Sequence, residues 1–299
     1  MENVIEVKGL TKKFKDITAV DGLDFSVAKG EIFGLIGPDG AGKTTTLRIL
    51  AGIMLPGAGN VEVLGFKLPQ GAEGMKEHIG YMCQKFSLYT DLTVEENIRF
   101  FADVYNIDKQ TLETRLGPLL DMTRLAPFKD RQAGKLSGGM KQKLALICTL
   151  IHRPKILFLD EPTTGVDPVS RRDFWEILQQ IHSDGVTIVV STPYMDEAEQ
   201  CSRIGLMFKG KIISSDTPKN MKKRLDGVVL EIFPEGKGAG IEAMLKATDY
   251  VKDWQQLGER FHVVVRDEAA AEDLNKKSGG MRVRRIAANV EDVFVDKIK

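Results

Sequence analysis

The segment Gly37-Pro38-Asp39-Gly40-Ala41-Gly42-Lys43-Thr44 constrains this chain more than any other. It is a Gly-x4-Gly-Lys-Thr loop. Before it, Glu31-Ile32-Phe33-Gly34-Leu35-Ile36 is a short apolar run with strand character, and after it Thr45-Thr46-Leu47-Arg48-Ile49-Leu50 reads as a helix. Strand, glycine-rich loop and helix in that order bring backbone N–H groups and the positive end of a helix dipole to one place, where phosphate groups are favoured. Only a glycine-rich main chain approaches a phosphate closely enough to wrap it. Lys43 adds positive charge toward the outer phosphates, and the Thr44 hydroxyl is placed to ligate Mg2+.

The length of 299 residues suggests about two domains, enough to bury a real core. Formal net charge is zero, so no global field draws the chain to nucleic acid or to an anionic lipid surface, and no nucleic-acid partner is expected. The basic cluster Lys222-Lys223-Arg224 reads as a solvated turn ahead of a new domain. Cys83, Cys148 and Cys201 are odd in number and widely spaced, and the four histidines are scattered. That pattern suits neither a disulfide framework nor a Cys/His metal site, and it fits reduced cytosolic thiols. Met1-Glu2-Asn3-Val4-Ile5-Glu6 alternates like a strand and not like a leader. No apolar run approaches the roughly 20 residues that cross a bilayer. A chain like this serving membrane transport needs its pore on another chain.

To about residue 85 the pattern mixes the phosphate loop with short strands at Val4–Val7, Leu23–Val27 and Asn60–Leu64. Helical character follows to about Ile151: Thr93-Val94-Glu95-Glu96 resembles a capped start, with further helices over Leu112–Leu120 and Gly138–Leu150. Strands return at Lys155–Leu159 and Val186–Val190 around a helix over Pro168–His182, the pattern of parallel crossover units. Arg203–Ile213 reads as a hairpin turning at Lys209-Gly210. From about residue 225 the order becomes strand (Val228–Phe233), helix (Ile241–Lys246), two strands (Val251–Gln255 and Phe261–Arg266), helix (Glu268–Lys276), strand (Met281–Ile286) and a last helix (Val290–Ile298). That is a small α+β domain with a β-α-β-β-α-β plan.

The apolar strand at 155–159 runs into Asp160-Glu161-Pro162. An Asp ending such a strand beside a phosphate loop holds Mg2+. Glu161, one residue on, is expected on the opposite side of the strand, where it can meet a water attacking the terminal phosphate.

With these motifs in order, the chain resembles the ATPase subunit of ABC transporters over roughly residues 3–220. Leu136-Ser137-Gly138-Gly139-Met140 is similar to the family's signature loop. The resemblance implies a P-loop NTPase fold of class α/β, with a RecA-like core, an antiparallel β subdomain and a helical subdomain at about 86–151. It implies a nucleotide-binding domain over 1–222 and a ferredoxin-like α+β accessory domain over 223–299. It implies ATP and Mg2+ as ligands. Nucleotide contacts fall on Gly37, Pro38, Asp39, Gly40, Ala41, Gly42, Lys43, Thr44 and Thr45. Ser137, Gly138 and Gly139 reach across a dimer to the terminal phosphate held by a second ABC ATPase module. Gln84 sits at the glutamine loop, touching Mg2+ and sensing the membrane partner; with Lys43 and Glu161 it makes the catalytic set, and Thr44, Gln84 and Asp160 make the metal set. Phe14 falls where an aromatic stacks on adenine, and Thr163-Thr164-Gly165-Val166-Asp167 where a loop crosses the dimer seam.

Two positions depart from the family pattern. Met140 stands where glutamine is commonest. Pro193, in Ser191-Thr192-Pro193-Tyr194-Met195-Asp196-Glu197, stands where the switch histidine is expected. Proline has no side-chain donor and no N–H, and it suits a first helical position behind Thr192 as N-cap. The site is therefore expected to hydrolyse slowly while its signature loop completes a site on another module.

A narrower resemblance points to the ABC-2 exporter class. The loop at 37–44, Gln84-Lys85-Phe86-Ser87-Leu88-Tyr89, Gly138-Gly139-Met140-Lys141-Gln142-Lys143 and the missing histidine look like the N-terminal ATPase half of YbhF-type tandem proteins, and Asn289-Val290-Glu291-Asp292-Val293-Phe294 resembles the end of the drug-exporter ATPase tail. This implies an unlike or tandem partner module, ABC-2 type permease subunits, and a peripheral cytoplasmic place on the inner face of the cell membrane. Two other readings stay open: a soluble ABC ATPase of translation or DNA repair, and a regulatory module that holds ATP without turnover.

Overall fold

The computed structural model describes residues 2–234, 240–279 and 281–298. Met1, assigned above to an opening strand, lies outside them. The chain divides into two compact units, Met1–Ser215 and Asp216–Lys299.

The first unit opens with β1 (Asn3–Phe14) and β2 (Ile17–Ala28), an antiparallel hairpin longer than the short strands expected. Then come β3 (Ile32–Ile36), α1 (Lys43–Leu50), β4 (Ala58–Val63), β5 (Phe66–Leu68), α2 (Ala72–Met75) and β6 (Ile79–Met82). A helical stretch follows with α3 (Val94–Val104), α4 (Lys109–Thr123) and α5 (Gly138–Leu150). The unit closes with β7 (Ile156–Asp160), α6 (Pro168–Ser183), β8 (Thr187–Thr192), β9 (Arg203–Phe208) and β10 (Lys211–Asp216).

Two sheets result, one antiparallel in the order β2-β1-β4-β5 and one in the order β10-β9-β3-β8-β7-β6. In the second, β9, β3, β8, β7 and β6 are mutually parallel, and β3, β7 and β8 are buried at every residue. Continuous apolar runs such as Ile156-Leu157-Phe158-Leu159 are what a strand covered on both faces requires. Parallel strands share one carboxyl edge, so the chain leaves β3, β6, β7 and β8 on the same side. Leu47, Ile49 and Leu50 of α1 share one core with Ile5 and Val61 of the antiparallel sheet and Phe158 of the parallel one. A separate core joins α3, α4 and α5 through Val94, Ile98, Leu116, Leu144 and Ile147. Thr93 makes the expected capping box with Glu96. Lys209 and Gly210 turn β9 into β10 with φ of 47° and 81°, as a two-residue hairpin needs.

Two local expectations are overturned. Thr192 and Pro193 do not start a helix. Thr192 ends β8, its Oγ1 accepts the Tyr194 N–H at 3.1 Å, and a 3-10 segment begins only at Met195. The sheet claims Thr192 before a helix can. Lys222-Lys223-Arg224 is not a turn, because it closes a short helix, α7 (Pro218–Lys223), capped by Thr217. Cations in that last turn offset the helix dipole.

The second unit continues from α7 with β11 (Val228–Phe233), α8 (Ile241–Lys246), β12 (Val251–Leu257), β13 (Arg260–Val265), α9 (Glu268–Lys277), β14 (Arg282–Ile286) and α10 (Val290–Ile298). Its antiparallel sheet runs β12-β13-β11-β14, the order of a split β-α-β fold. Leu230, Ile232 and Val263 pack with Leu245 of α8 and Leu274 of α9. Alternation along the strands sends Glu231 and its register partner His262 the other way. There His262 Nε2 lies 2.6 Å from Asp292 Oδ1 of α10, both residues being buried. Asp292 Oδ2 also accepts the Asn289 N–H, and Asn289 Oδ1 accepts the Asp292 N–H, so the start of α10 and the histidine hold each other. α10 packs in turn on α7.

The hydrogen bond to Asp292 raises the His262 pKa above its ordinary value, against the opposing effect of burial; the Asp292, Glu231 and Glu291 charges add to the rise. Stability from such a histidine is complete below the unfolded value of about 6.5 and is lost as pH climbs through the folded value. Calorimetry of the wild type and of His262→Asn should therefore give a difference in melting temperature that is largest near pH 6 and shrinks toward pH 9. A difference that grows with pH would contradict the assignment.

Candidate active site

The chain turns off β3 at Ile36 and enters α1 at Lys43. Between them Gly37 N–H donates to Thr192 O at 3.3 Å and Ala41 N–H to Pro38 O at 3.2 Å. Gly42 has φ of 105°, and a Cβ there would stand 2.4 Å from Ala19 O; at Gly37 a Cβ would stand 2.2 Å from Met207 O. Both positions need glycine because neighbouring backbone occupies the space. From outside, Gly210 N–H donates to Ala41 O at 3.0 Å, and Gly210 O accepts from Asp21 N–H at 2.9 Å.

The start of α1 differs from those of α3, α4, α5 and α6. Those four are capped by Thr93, Asp108, Ser137 and Asp167, whereas α1 follows Gly42 with no side-chain cap. Its leading amides keep their donors for an external anion. An uncapped helix start, a glycine-built loop and a buried lysine fit a nucleotide's phosphates.

Lys43 is 3% exposed, and its Nζ donates to Gly37 O at 2.8 Å and Pro38 O at 3.1 Å and lies 3.2 Å from Glu161 Oε1. Gln84 Nε2 donates to Glu161 Oε2 at 2.8 Å, and Thr164 Oγ1 reaches the same oxygen at 3.3 Å. Asp160, fully buried, accepts at Oδ1 from Thr44 Oγ1 and from Ser191 Oγ, each at 2.8 Å, and at Oδ2 from Tyr81 OH at 3.4 Å. Burial, helped by the Asp160 charge and opposed by Arg48, pushes the Tyr81 pKa up to about 12, so its hydroxyl stays a donor.

Glu161 does not follow strand alternation. β7 ends at Asp160, and Glu161 takes a left-handed backbone at φ 49°. Such a conformation costs a non-glycine residue about 1–3 kcal/mol and persists where surroundings over-determine it. Ser191 supplies that constraint, because the Glu161 N–H donates to its backbone O at 3.1 Å and to its Oγ at 3.0 Å. The turn sends the Glu161 carboxylate toward Lys43 while Asp160 faces Thr44, so the two acids serve one site from adjacent positions.

Lys43 and Gln84 thus meet on Glu161, and Thr44 meets the adjacent Asp160. Ser137 caps α5, accepting from Met140 N–H at 3.3 Å, and Gly139 packs so closely on Ser170 that a Cβ would stand 2.7 Å from it. Phe14 ends β1, largely exposed, with Lys12 Nζ 5.5 Å from its ring centroid. Neither Phe14 nor the Ser137–Gly139 stretch is hydrogen-bonded to the Asp160–Glu161 cluster among the described residues. Sequence reasoning gave no role to Ser191 or Tyr81. Ser191 was findable, since it is the register partner of Asp160 once β7 and β8 pair.

A model of the ABC transporter family matches residues 20–164. The probable multidrug ABC transporter ATP-binding protein YbhF of Escherichia coli is 48% identical over 221 residues, which are 74% of this chain and 38% of that protein. This chain therefore aligns with well under half the length of that relative. The Nod factor export ATP-binding protein I of Burkholderia orbicola is 36% identical over 293 residues, 97% of this chain and 95% of that one. Among solved structures, an ATP-binding subunit of an ABC transporter is 30% identical with a TM-score of 0.67 over 74% of this chain and 92% of that one. A dimeric ATP-binding cassette in a post-hydrolysis state with ADP and phosphate is 26% identical with a TM-score of 0.65, covering 71% of this chain and 98% of that one. With a phosphate loop, two buried acids and a glutamine on one carboxyl edge of a parallel sheet, and with likeness to the Nod factor protein along nearly its whole length, the chain belongs to the ATP-binding proteins of the ABC transporter family.

Proposed function

We propose that this chain is the ATP-hydrolysing motor of an ABC-2 type exporter. Residues 1–222 serve as the nucleotide-binding domain and 223–299 as an accessory domain. Two modules, this one and an unlike or tandem partner, close on ATP and drive separate permease subunits, which hold the chain on the cytoplasmic face of the membrane. Support comes from the export named in the Nod factor relative, from the multidrug transport named in YbhF, and from the absence, among the described residues, of any helix long and apolar enough to cross a bilayer. The observation that carries the reading is the buried Lys43–Glu161–Gln84 cluster.

The chain's own residues divide the work. The glycine loop and the first amides of α1 bind the phosphates, and Phe14 stacks on the adenine. Lys43 leaves Glu161 as it turns to the outer phosphates, which frees Oε1 to orient a water and take its proton. Gln84 keeps its hold on Oε2 and so keeps the carboxylate aimed. Thr44, Asp160 and Gln84 offer oxygen donors of the kind Mg2+ takes when phosphates complete its sphere. That ion, when bound, offsets charge on the transferring phosphoryl group. Ser191 and Tyr81 fix Asp160 for this. Ser137, Gly138 and Gly139 serve the site on the partner module. Pro193 supplies no donor, so this chain's own site turns over slowly.

Two outcomes follow for the purified chain. Glu161→Gln keeps ATP affinity by calorimetry and loses about 10^2–10^4 in turnover, the usual worth of a general base. Pro193→His raises turnover of the chain's own site. Brisk wild-type turnover indifferent to the histidine would overturn the slow-site reading, and failure to bind ATP with Mg2+ would overturn the function.

A further inference from the structure

The 3-10 segment Met195–Gln200 buries an acid that the proposed function leaves unused. Glu197 is 3% exposed. Its Oε1 accepts from Thr163 Oγ1 at 2.7 Å, Thr163 being 1% exposed, and faces Arg171 Nε of α6 at 3.5 Å. Arg171 also pairs with Asp196 at 2.6 Å and covers the Tyr194 ring at 4.4 Å, so its charge is shared. Glu197 Oε2 is buried with no hydrogen-bond partner.

Seating a surface turn does not call for this arrangement. An apolar side chain of similar size fills such a space without desolvating a charge, and buried ion pairs are poor stabilisers. The short, directional bond that Glu197 makes is the one to Thr163. Thr163 lies two residues beyond Glu161, inside the turn that lets Glu161 hold its left-handed backbone. In that turn Thr164 N–H donates to Glu161 O at 3.2 Å and Val166 N–H to Thr163 O at 3.1 Å. Ser191 fixes Glu161 from one side; the far side of the turn is tied down by Thr163.

We propose that Glu197 is a positioning residue for hydrolysis: through Thr163 it holds the 161–166 turn and thereby aims the Glu161 carboxylate. It does so from the segment whose residue 193 is a proline without a donor, so the switch segment governs the acid through Glu197. The proposal rests on the hydrolytic reading of Glu161.

The test compares wild type, Glu197→Ala, Glu197→Gln and Thr163→Val in the full chain. Single-turnover hydrolysis, ATP affinity by calorimetry and melting temperature are measured on each. Glu197→Ala and Thr163→Val should lower the hydrolysis rate roughly tenfold to a hundredfold, as small misplacements of catalytic groups do, with ATP affinity little changed. Glu197→Gln keeps an oxygen acceptor for Thr163 and should restore most of the rate. Hydrogen exchange at the Thr164 and Val166 amides should quicken in Glu197→Ala and Thr163→Val and stay native in Glu197→Gln. A glutamine variant as impaired as the alanine one, or unchanged rate and exchange in folded Glu197→Ala and Thr163→Val, overturns the proposal. A wild type that binds ATP but never cleaves it sinks the hydrolytic reading instead, and exchange at the two amides then decides whether Glu197 holds the turn.

Discussion

A lysine and a glutamate meet at 3.2 Å inside this protein, and both are almost fully buried. Removing two opposite charges from water is costly, and their attraction repays it only with good geometry and further hydrogen bonds. Those bonds are present: the carbonyls of Gly37 and Pro38 hold the ammonium, and Gln84 with Thr164 holds the carboxylate. The partners come from three separate segments, namely the phosphate loop, the chain after β6 and the turn after β7. The pair is therefore a product of sheet topology and not of local sequence.

That dependence explains which parts of the protein could be read from its sequence. The phosphate loop, the acid-ending strand and helices such as 138–150, 241–246 and 290–298 follow from local patterns, and these helices lie where the sequence pattern puts them. β6 was missed because Ile79-Gly80-Tyr81-Met82 is too short for an apolar period to emerge. The long hairpin of β1 and β2 was underestimated because its outer ends are exposed and interrupted by irregular pairing, so alternation fades before the strands end.

The candidate site is legible in the sequence as a set of motif residues but not as a set of bonds. Asp160, Glu161, Gln84, Lys43 and Thr44 each carry a motif. Ser191 and Tyr81 carry none, because their importance arises only when β8 and β6 come to flank β7. Alternation also misjudged how Glu161 is aimed, since it assumes a strand that continues and this one stops at Asp160. The same limit applies to Thr192, where an N-cap pattern lost to a residue still paired in the sheet. Local rules hold up to the point where tertiary partners make a stronger claim on the same backbone.

The turn at Lys209-Gly210 has a consequence beyond reversing a strand. Gly210 grips Ala41 with its N–H and receives Asp21 with its carbonyl, while Met207 O leaves no room for a side chain at Gly37. The glycine loop is thus strapped from behind by a hairpin that lies outside the candidate site. Its conformational entropy is surrendered during folding and not on ligand capture, so the socket is preformed and association can be fast. Sequence change in that hairpin can accordingly reshape the glycine loop while every residue of the loop itself stays in place.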